Sequence, residues 1–214
     1  MGDWSSAQYL KFEDERSRPA ADLLLRVPLD GPKRVVDLGC GPGNSTALLA
    51  ARYPKASLTG VDTSANMLEA ARERLPEATF VEAAIEAWTP ETQFELIFAN
   101  AVFQWVPDHL SVIARLTESL PAGGAIAVQM PDNLHEQSHR LMAQLARFGP
   151  WREKFKAPIA REVIPPPAVY YDRLKPLAAH LDIWHTVYHH VLAGPDAIVE
   201  WVKATGLRPY LDRL

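Results

Sequence analysis

Three glycines alternate in Asp37-Leu38-Gly39-Cys40-Gly41-Pro42-Gly43, directly after a β-branched run. Glycines there let the backbone pass close under a ligand, and a helix starting just beyond turns its N–H groups toward it. Dinucleotide phosphates are held by G-x-G-x-x-G/A, but here Asn44 follows Gly43 and the spacing is G-x-G-x-G. Asp37, two residues before the first glycine, repels a pyrophosphate and attracts an ammonium group. A ligand with a cationic amino acid end fits this pattern better than a nicotinamide dinucleotide does. Asp62 stands where a second strand should end. An acid there can accept hydrogen bonds from both hydroxyls of an adenosine ribose. It can also cap the next helix in competition with Ser64; beside the glycine loop, the ribose is favoured.

Other reactive side chains are few. The sequence has no Ser/His/Asp or Cys/His constellation of the kind that nucleophilic catalysis uses. His185 and His189, on one face of a strand, would lie about 13 Å apart at ~3.3 Å per residue, too far to share a metal ion, and no metal is expected. Cys40 is the single cysteine, which excludes an intrachain disulfide; inside the glycine loop it reads as a small packing residue rather than a nucleophile.

These residues need a scaffold, and the pattern of elements supplies one. Residues 4–26 read as two helices, with Tyr9, Phe12 and Arg16 on one face of the first and Pro19 opening the second. Strands are expected at 34–38, 57–61, 79–81 (reaching toward Ile85), 94–103 and 125–130. Helices at 45–53, 64–75 and from Asp108 to Leu120 fall between them. Strands alternating with helices specify a parallel α/β sheet with right-handed crossovers. A helix over 132–148 and an irregular stretch 151–175 containing Pro165-Pro166-Pro167 are too long for an ordinary crossover. They read as an insertion over the ligand face. A sixth strand is expected over 180–192 and a last helix over 195–204.

Asp37-x-Gly39-x-Gly41-x-Gly43, Asp62-x-Ser64-x-x-Met67-Leu68 and Phe94-Glu95-Leu96-Ile97-Phe98-Ala99-Asn100 resemble the motifs of class I S-adenosylmethionine (SAM)-dependent methyltransferases. The resemblance spans 34–130. Trp4, Tyr9, Phe12, Arg16, Arg18 and Pro19, with Gln104-Trp105 and the insertion, are similar to the trans-aconitate methyltransferase family. The resemblance implies a Rossmann-like sheet in a single domain, 1–214. Its parts are N-terminal helices (1–30), a SAM-binding core (31–130), a substrate lid (131–178) and a C-terminal strand and helix (179–214). It implies that Asp37, Gly39, Cys40 and Gly41 hold the methionine moiety. Asp62 and Thr63 would face the ribose, Met67, Ala84 and Ile85 the adenine, and Asn100 the methionine side. The class often has an acid after strand three for the adenine amino group; here Ala83-Ala84 stand there, leaving Glu82, Glu86 or backbone to serve.

For the acceptor, the resemblance implies a small carboxylic acid. A carboxylate is already ionised at neutral pH and needs no base. Guanidinium forks match it bidentately. Arg16 and Arg18 beside Tyr9 are the first candidates, with Arg152, Tyr170 and Tyr171 behind them and Trp4, Gln104 and Trp105 as pocket walls. Two alternatives remain at this level: a different small acceptor, or a regulator that binds SAM without catalysis.

Composition sets the outer limits. Apolar residues make 48% and charged residues 22%, with a net charge of −4, which excludes a disordered chain and argues against nucleic-acid or anionic-membrane binding. No apolar run approaches the ~20 residues that span a bilayer, and no signal peptide is legible, so a cytoplasmic monomer or weak homo-oligomer is expected. The class has seven strands, the seventh between the fifth and sixth. The tail Gly206–Leu214 does not read as a buried strand. The expectation is therefore an incomplete form, with strand five exposed at an open edge, closed by association or flanked by a poorly ordered C-terminal segment.

Overall fold

Val35, Val36 and Leu38 are fully buried in β1 (Arg34–Leu38), the central strand of a five-stranded parallel sheet. The computed structural model describes residues 12–157, 161, 163–203 and 205–214. The other strands are β2 (Ser57–Asp62), β3 (Thr79–Glu82), β4 (Leu96–Asn100) and β5 (Ala125–Gln129), in the order β3-β2-β1-β4-β5. Val36 lies opposite Thr59 of β2 and Ile97 of β4. The order reverses between β1 and β4, and that switch point opens a crevice at the strands' carboxyl ends. Asp37 and Asn100 stand at those ends.

Alternation along the strands divides the core in two. Val36, Leu38, Ile97 and Ala99 face Phe103, Ile113 and Leu116, the last two on α4 (His109–Glu118), with Tyr170 of α6 (Pro167–Leu174). Val35, Leu96 and Phe98 face Ala20, Leu23 and Leu24 of α1 (Glu13–Leu25) and Leu49 of α2 (Asn44–Arg52). α3 (Ala65–Arg74) runs between β2 and β3, and Ser64 caps it by accepting from Met67 N at 3.2 Å.

Several expected boundaries move. Pro19 does not open a second helix but lies inside α1. A proline there costs about 3 kcal/mol; burial of Leu23 and Leu24, each worth ~1.5–3 kcal/mol, outweighs it. Arg52 then closes the helix end by donating to Leu24 O and Val27 O. β3 stops at Glu82, because Ala84 O enters a turn, accepting from Ala87 N and Trp88 N. β4 spans only 96–100, since Ala101 takes a left-handed φ of 55° and breaks the extended run. After β5, α5 begins at Gln137 (Gln137–Phe148), and the stretch expected to be irregular contains a 3-10 turn (Arg152–Phe155) and α6, with Pro167 in its first turn.

The largest correction is at 180–192, which forms no strand. Its alternating Ile183, Val187 and Val191 meet no sheet face; Val187 is 71% and Val191 98% exposed. The segment is instead a strap tied by side chains across α1. Arg26 pairs with Asp182 at 3.3 Å and covers the Trp184 ring, Tyr188 donates to Asp22 at 2.7 Å, and His190 packs on Trp201 of α7 (Pro195–Lys203). A short helix, α8 (Arg208–Leu211), follows. Among the described residues no sixth or seventh strand forms, and β5 pairs only with β4.

Candidate ligand-binding site

β1 delivers Asp37 to the start of α2, where Ser45 and Thr46 each donate a hydroxyl to its Oδ2 at 2.7 Å. Its other oxygen, Oδ1, is buried without a hydrogen-bond partner. The residue is only 1% exposed, and this burial pushes its pKa from 3.8 up to about 6, despite the two hydroxyls that lower it; Asp62 adds to the rise. A buried carboxylate with one oxygen satisfied and one open suits a cationic partner. The motif pointed to Asp37, but not to the two hydroxyls that hold it. A Ser-Thr pair opening the helix after a glycine loop was the available signal.

The glycines are needed for different reasons. Gly39 has φ 69°, and a Cβ there would sit 2.4 Å from Val102 Cγ2. Gly41 donates its N–H to Asp62 Oδ2 at 2.9 Å, while Asp62 Oδ1 accepts from Ser64 N at 2.9 Å. Asp62 thus pins the glycine loop and starts α3, which agrees with its reading as a helix-capping acid. Cys40 is buried beside Gly60, and burial followed by the charge of Asp37 pushes its thiol pKa up, consistent with a packing role.

Above the loop lies a narrow cleft lined by Gly39, Gly41, Asn44, Asn100 and, from α1, Arg16 and Ser17. Asn100 brings a buried Oδ1 with no hydrogen-bond partner. Its position is fixed by the strained residue beside it. Ala101 N donates to Gln129 O at 3.0 Å, and Gln104 Nε2 clamps Ala101 O at 2.5 Å. Buried Gln104 therefore positions Asn100.

The structure separates the two arginines. Arg16 enters the cleft, donates to Trp201 O at 2.9 Å and packs on the Trp201 ring. Arg18, two positions on and therefore on another helix face, is exposed over Tyr188, 5.0 Å from its ring centre. It does not join Arg16. Arg152 is exposed and pairs with Glu153. Tyr170 is buried in the core, where its hydroxyl meets His109 Nε2 at 2.5 Å and burial raises its pKa to about 12; Tyr171 is exposed. Neither tyrosine lines the cleft. Met67 and Ile85 are buried, Ile85 in the apolar core; Thr63 and Ala84 are exposed near the ends of β2 and β3. Trp4 and Tyr9 lie outside the described residues. Trp105 walls a second cavity with Arg161, a residue the sequence did not single out because it is an isolated arginine in an irregular stretch.

A parallel sheet with a glycine loop, an acid before it and an acid after β2 defines a Rossmann-like class I methyltransferase architecture. Residues 35–124 match a methyltransferase domain family. A chain of the complex between the Haloferax volcanii Trm112 methyltransferase activator and a methyltransferase has the same fold, with a TM-score of 0.67 at 17% identity, covering 93% of this chain and 88% of that one. A chain of the DhpI-SAM-HEP complex superposes with a TM-score of 0.56 at 22% identity, covering 80% of each. The chain belongs to the trans-aconitate 2-methyltransferase family. It is 59% identical to the enzyme of that name from Rhodopseudomonas palustris (strain BisB5), over all of this chain and 84% of that protein. It is 55% identical to the one from Rhizobium rhizogenes, over 98% of this chain and 82% of the relative.

Proposed function

We propose that the protein transfers the methyl group of SAM to a carboxylate of trans-aconitate, giving the monomethyl ester and S-adenosylhomocysteine (SAH). The observation that carries the SAM half is the buried, half-satisfied carboxylate of Asp37 beneath a loop whose three glycines all take positive φ and where a Cβ at Gly39 would clash with Val102. Together with the open amide oxygen of Asn100, it fits an ammonium-bearing amino acid end. Family membership supports the acceptor. SAM supplies a methyl on a sulfonium, whose S–CH3 bond breaks as a carboxylate O–CH3 bond forms, the sulfur keeping the electron pair.

The chain's own residues bind and orient. Asp37 receives the positive end, Asp62 holds the loop and the ribose side, and Asn100, clamped through Gln104, faces the methionine side. No residue has to remove a proton, because the acceptor oxygen is already ionised. Rate enhancement then comes from alignment and from keeping water away. The reading places the enzyme in the cytoplasm, as a monomer or weak homo-oligomer acting on a small molecule. It is supported by the acidic balance of charges and by the lack, among the described residues, of a helix long and apolar enough to cross a membrane. Incubation with SAM and trans-aconitate, followed by mass spectrometry, tests the reading. One added methyl on the acid is expected; a protein that binds SAM yet yields no methylated acid overturns it.

A further inference from the structure

Beside the cleft, on the same carboxyl edge of the sheet, lies a cavity of about 220 Å³ lined by Trp105, His139, Arg161, Tyr210, Leu134 and Ala143. Trp105 stands in the 3-10 turn Phe103–Trp105, five residues after Asn100 at the end of β4, so one short segment supplies a wall to each site. The insertion supplies the opposite side. Arg161 is anchored at the end of β5, where its Nη2 donates to Pro131 O at 2.6 Å, and its guanidinium lies over the Trp105 ring, 5.5 Å from the centre. Its Nε is buried without a hydrogen-bond partner. Among the described residues, no carboxylate reaches Arg161 within ion-pair distance.

This is an unusual state for an arginine. A half-buried guanidinium that lacks a carboxylate has lost hydration without full compensation. Burial accordingly lowers its pKa, with only Asp132 acting to raise it. The rest of the cavity suits an anion that brings its own charge. His139 is held neutral by burial and by Arg161 itself, so it adds hydrogen-bonding capacity and no competing cation. Its Nδ1 is engaged with Ser138 Oγ at 3.2 Å. Its Nε2 would lie 2.7 Å from any Cβ at Gly206, so the glycine makes room for the ring in this position. Tyr210 adds a phenol, kept protonated by burial.

We propose that this cavity is the acceptor subsite, and that Arg161 grips a carboxylate of a di- or tricarboxylic acid other than the one being methylated. The assignment rests on the proposed carboxylate methylation and deepens it. It moves the acceptor's cation from Arg18, which faces Tyr188, to Arg161, and entails a preference for polycarboxylates. An acid with one carboxylate can fill the cavity or present an oxygen to the methyl group, but not both.

The test uses the full chain loaded with SAH and titrates trans-aconitate into it by calorimetry, for wild type, Arg161→Lys and Arg161→Gln. SAH affinity and thermal unfolding are measured on the same samples. Removing a charged hydrogen-bonding partner should weaken acceptor binding by about tenfold to a hundredfold in Arg161→Gln, with SAH affinity unchanged. Arg161→Lys keeps the charge but loses the fork, and should fall between the two. In turnover, the acceptor KM should rise in the same order while the KM for SAM stays fixed. Variants that bind trans-aconitate like wild type overturn the assignment, and so does a loss of SAH affinity parallel to that of the acceptor, which marks a structural role. A wild-type protein that accepts no polycarboxylate overturns the functional reading itself and the assignment with it. That failure shows in the wild type alone, before any variant is compared.

Discussion

Asp37→Asn should make the ligand-free protein more stable and the ligand-binding protein worse. Burial raises the Asp37 pKa from 3.8 to about 6, which corresponds to about 3 kcal/mol between the two protonation states. The folded protein holds this proton more tightly than the unfolded chain does. The stability it contributes is therefore fully present below pH 3.8 and is lost as pH rises through about 6. Above that, the ionised group is a buried charge with one oxygen unpaired. An asparagine carries no charge, and its Oδ1 can still accept from Ser45 and Thr46. Its amide would replace the partnerless Oδ1 and forfeit one hydrogen bond, about 1 kcal/mol. A net gain of about 1–2 kcal/mol is expected at pH 8, shrinking by roughly 1–2 kcal/mol at pH 5, where the wild-type carboxyl is largely protonated. SAH affinity should fall by about tenfold to a hundredfold, the loss of a charged hydrogen bond. Urea unfolding at the two pH values and calorimetry with SAH measure both effects. A variant that is less stable than wild type at pH 8 and binds SAH normally would refute the reasoning, because Asp37 would then be a structural group.

Four further outcomes are expected. Gly39→Ala combines a positive φ with a Cβ placed 2.4 Å from the stiff Val102 side chain, and should cost about 2–4 kcal/mol with loss of SAH binding; an unchanged melting temperature would contradict the packing described. Asp62→Ala removes the acceptor of both Gly41 N and Ser64 N, so stability and SAH affinity should fall together, each by about 1–3 kcal/mol, in melting and calorimetry. Arg16→Ala should raise a ligand KM several-fold in steady-state kinetics, whereas Arg18→Ala should leave all of them alone; equal defects would mean that the two arginines share a site after all. Finally, kcat should stay flat from about pH 7 to 9, since no base titrates, while the kcat/KM for SAM falls as Asp37 protonates below about 6. A histidine-dependent limb near pH 7 would point to a hydroxyl or amine acceptor.

Much of the core was legible because it follows from local rules. The β-branched run of β1 sits at 34–38 as expected, Ser64 caps α3, and β1 and β4 bring the glycine loop and Asn100 to one cleft. The misread elements were decided by distant contacts. The segment 180–192 alternates like a strand, yet it has no sheet neighbour and is tied to α1 through Arg26, Asp22 and Trp201. Pro19 is tolerated within α1 because the next turn buries two leucines. At the site, motif spacing reveals backbone needs and charges but not the path of an irregular chain. Arg18 lay close in sequence and faces away; Arg161, in the insertion, returns to the end of β5 through a single bond to Pro131 O. Tyr170, a pocket candidate by sequence, sits in the core against His109, since an aromatic residue in an amphipathic helix serves either purpose.

Carboxylate methylation without proton transfer can be followed in a single labelled reaction. The protein is incubated with SAM carrying a deuterated methyl group and a mixture of trans-aconitate with acids of one, two and three carboxylates. SAH and every labelled product are then quantified by mass spectrometry. The account predicts that the label appears as an ester methyl on trans-aconitate, in one-to-one ratio with SAH, and that monocarboxylic acids remain unlabelled. SAH formed without labelled ester, or label found on a hydroxyl, amine or carbon, would contradict it.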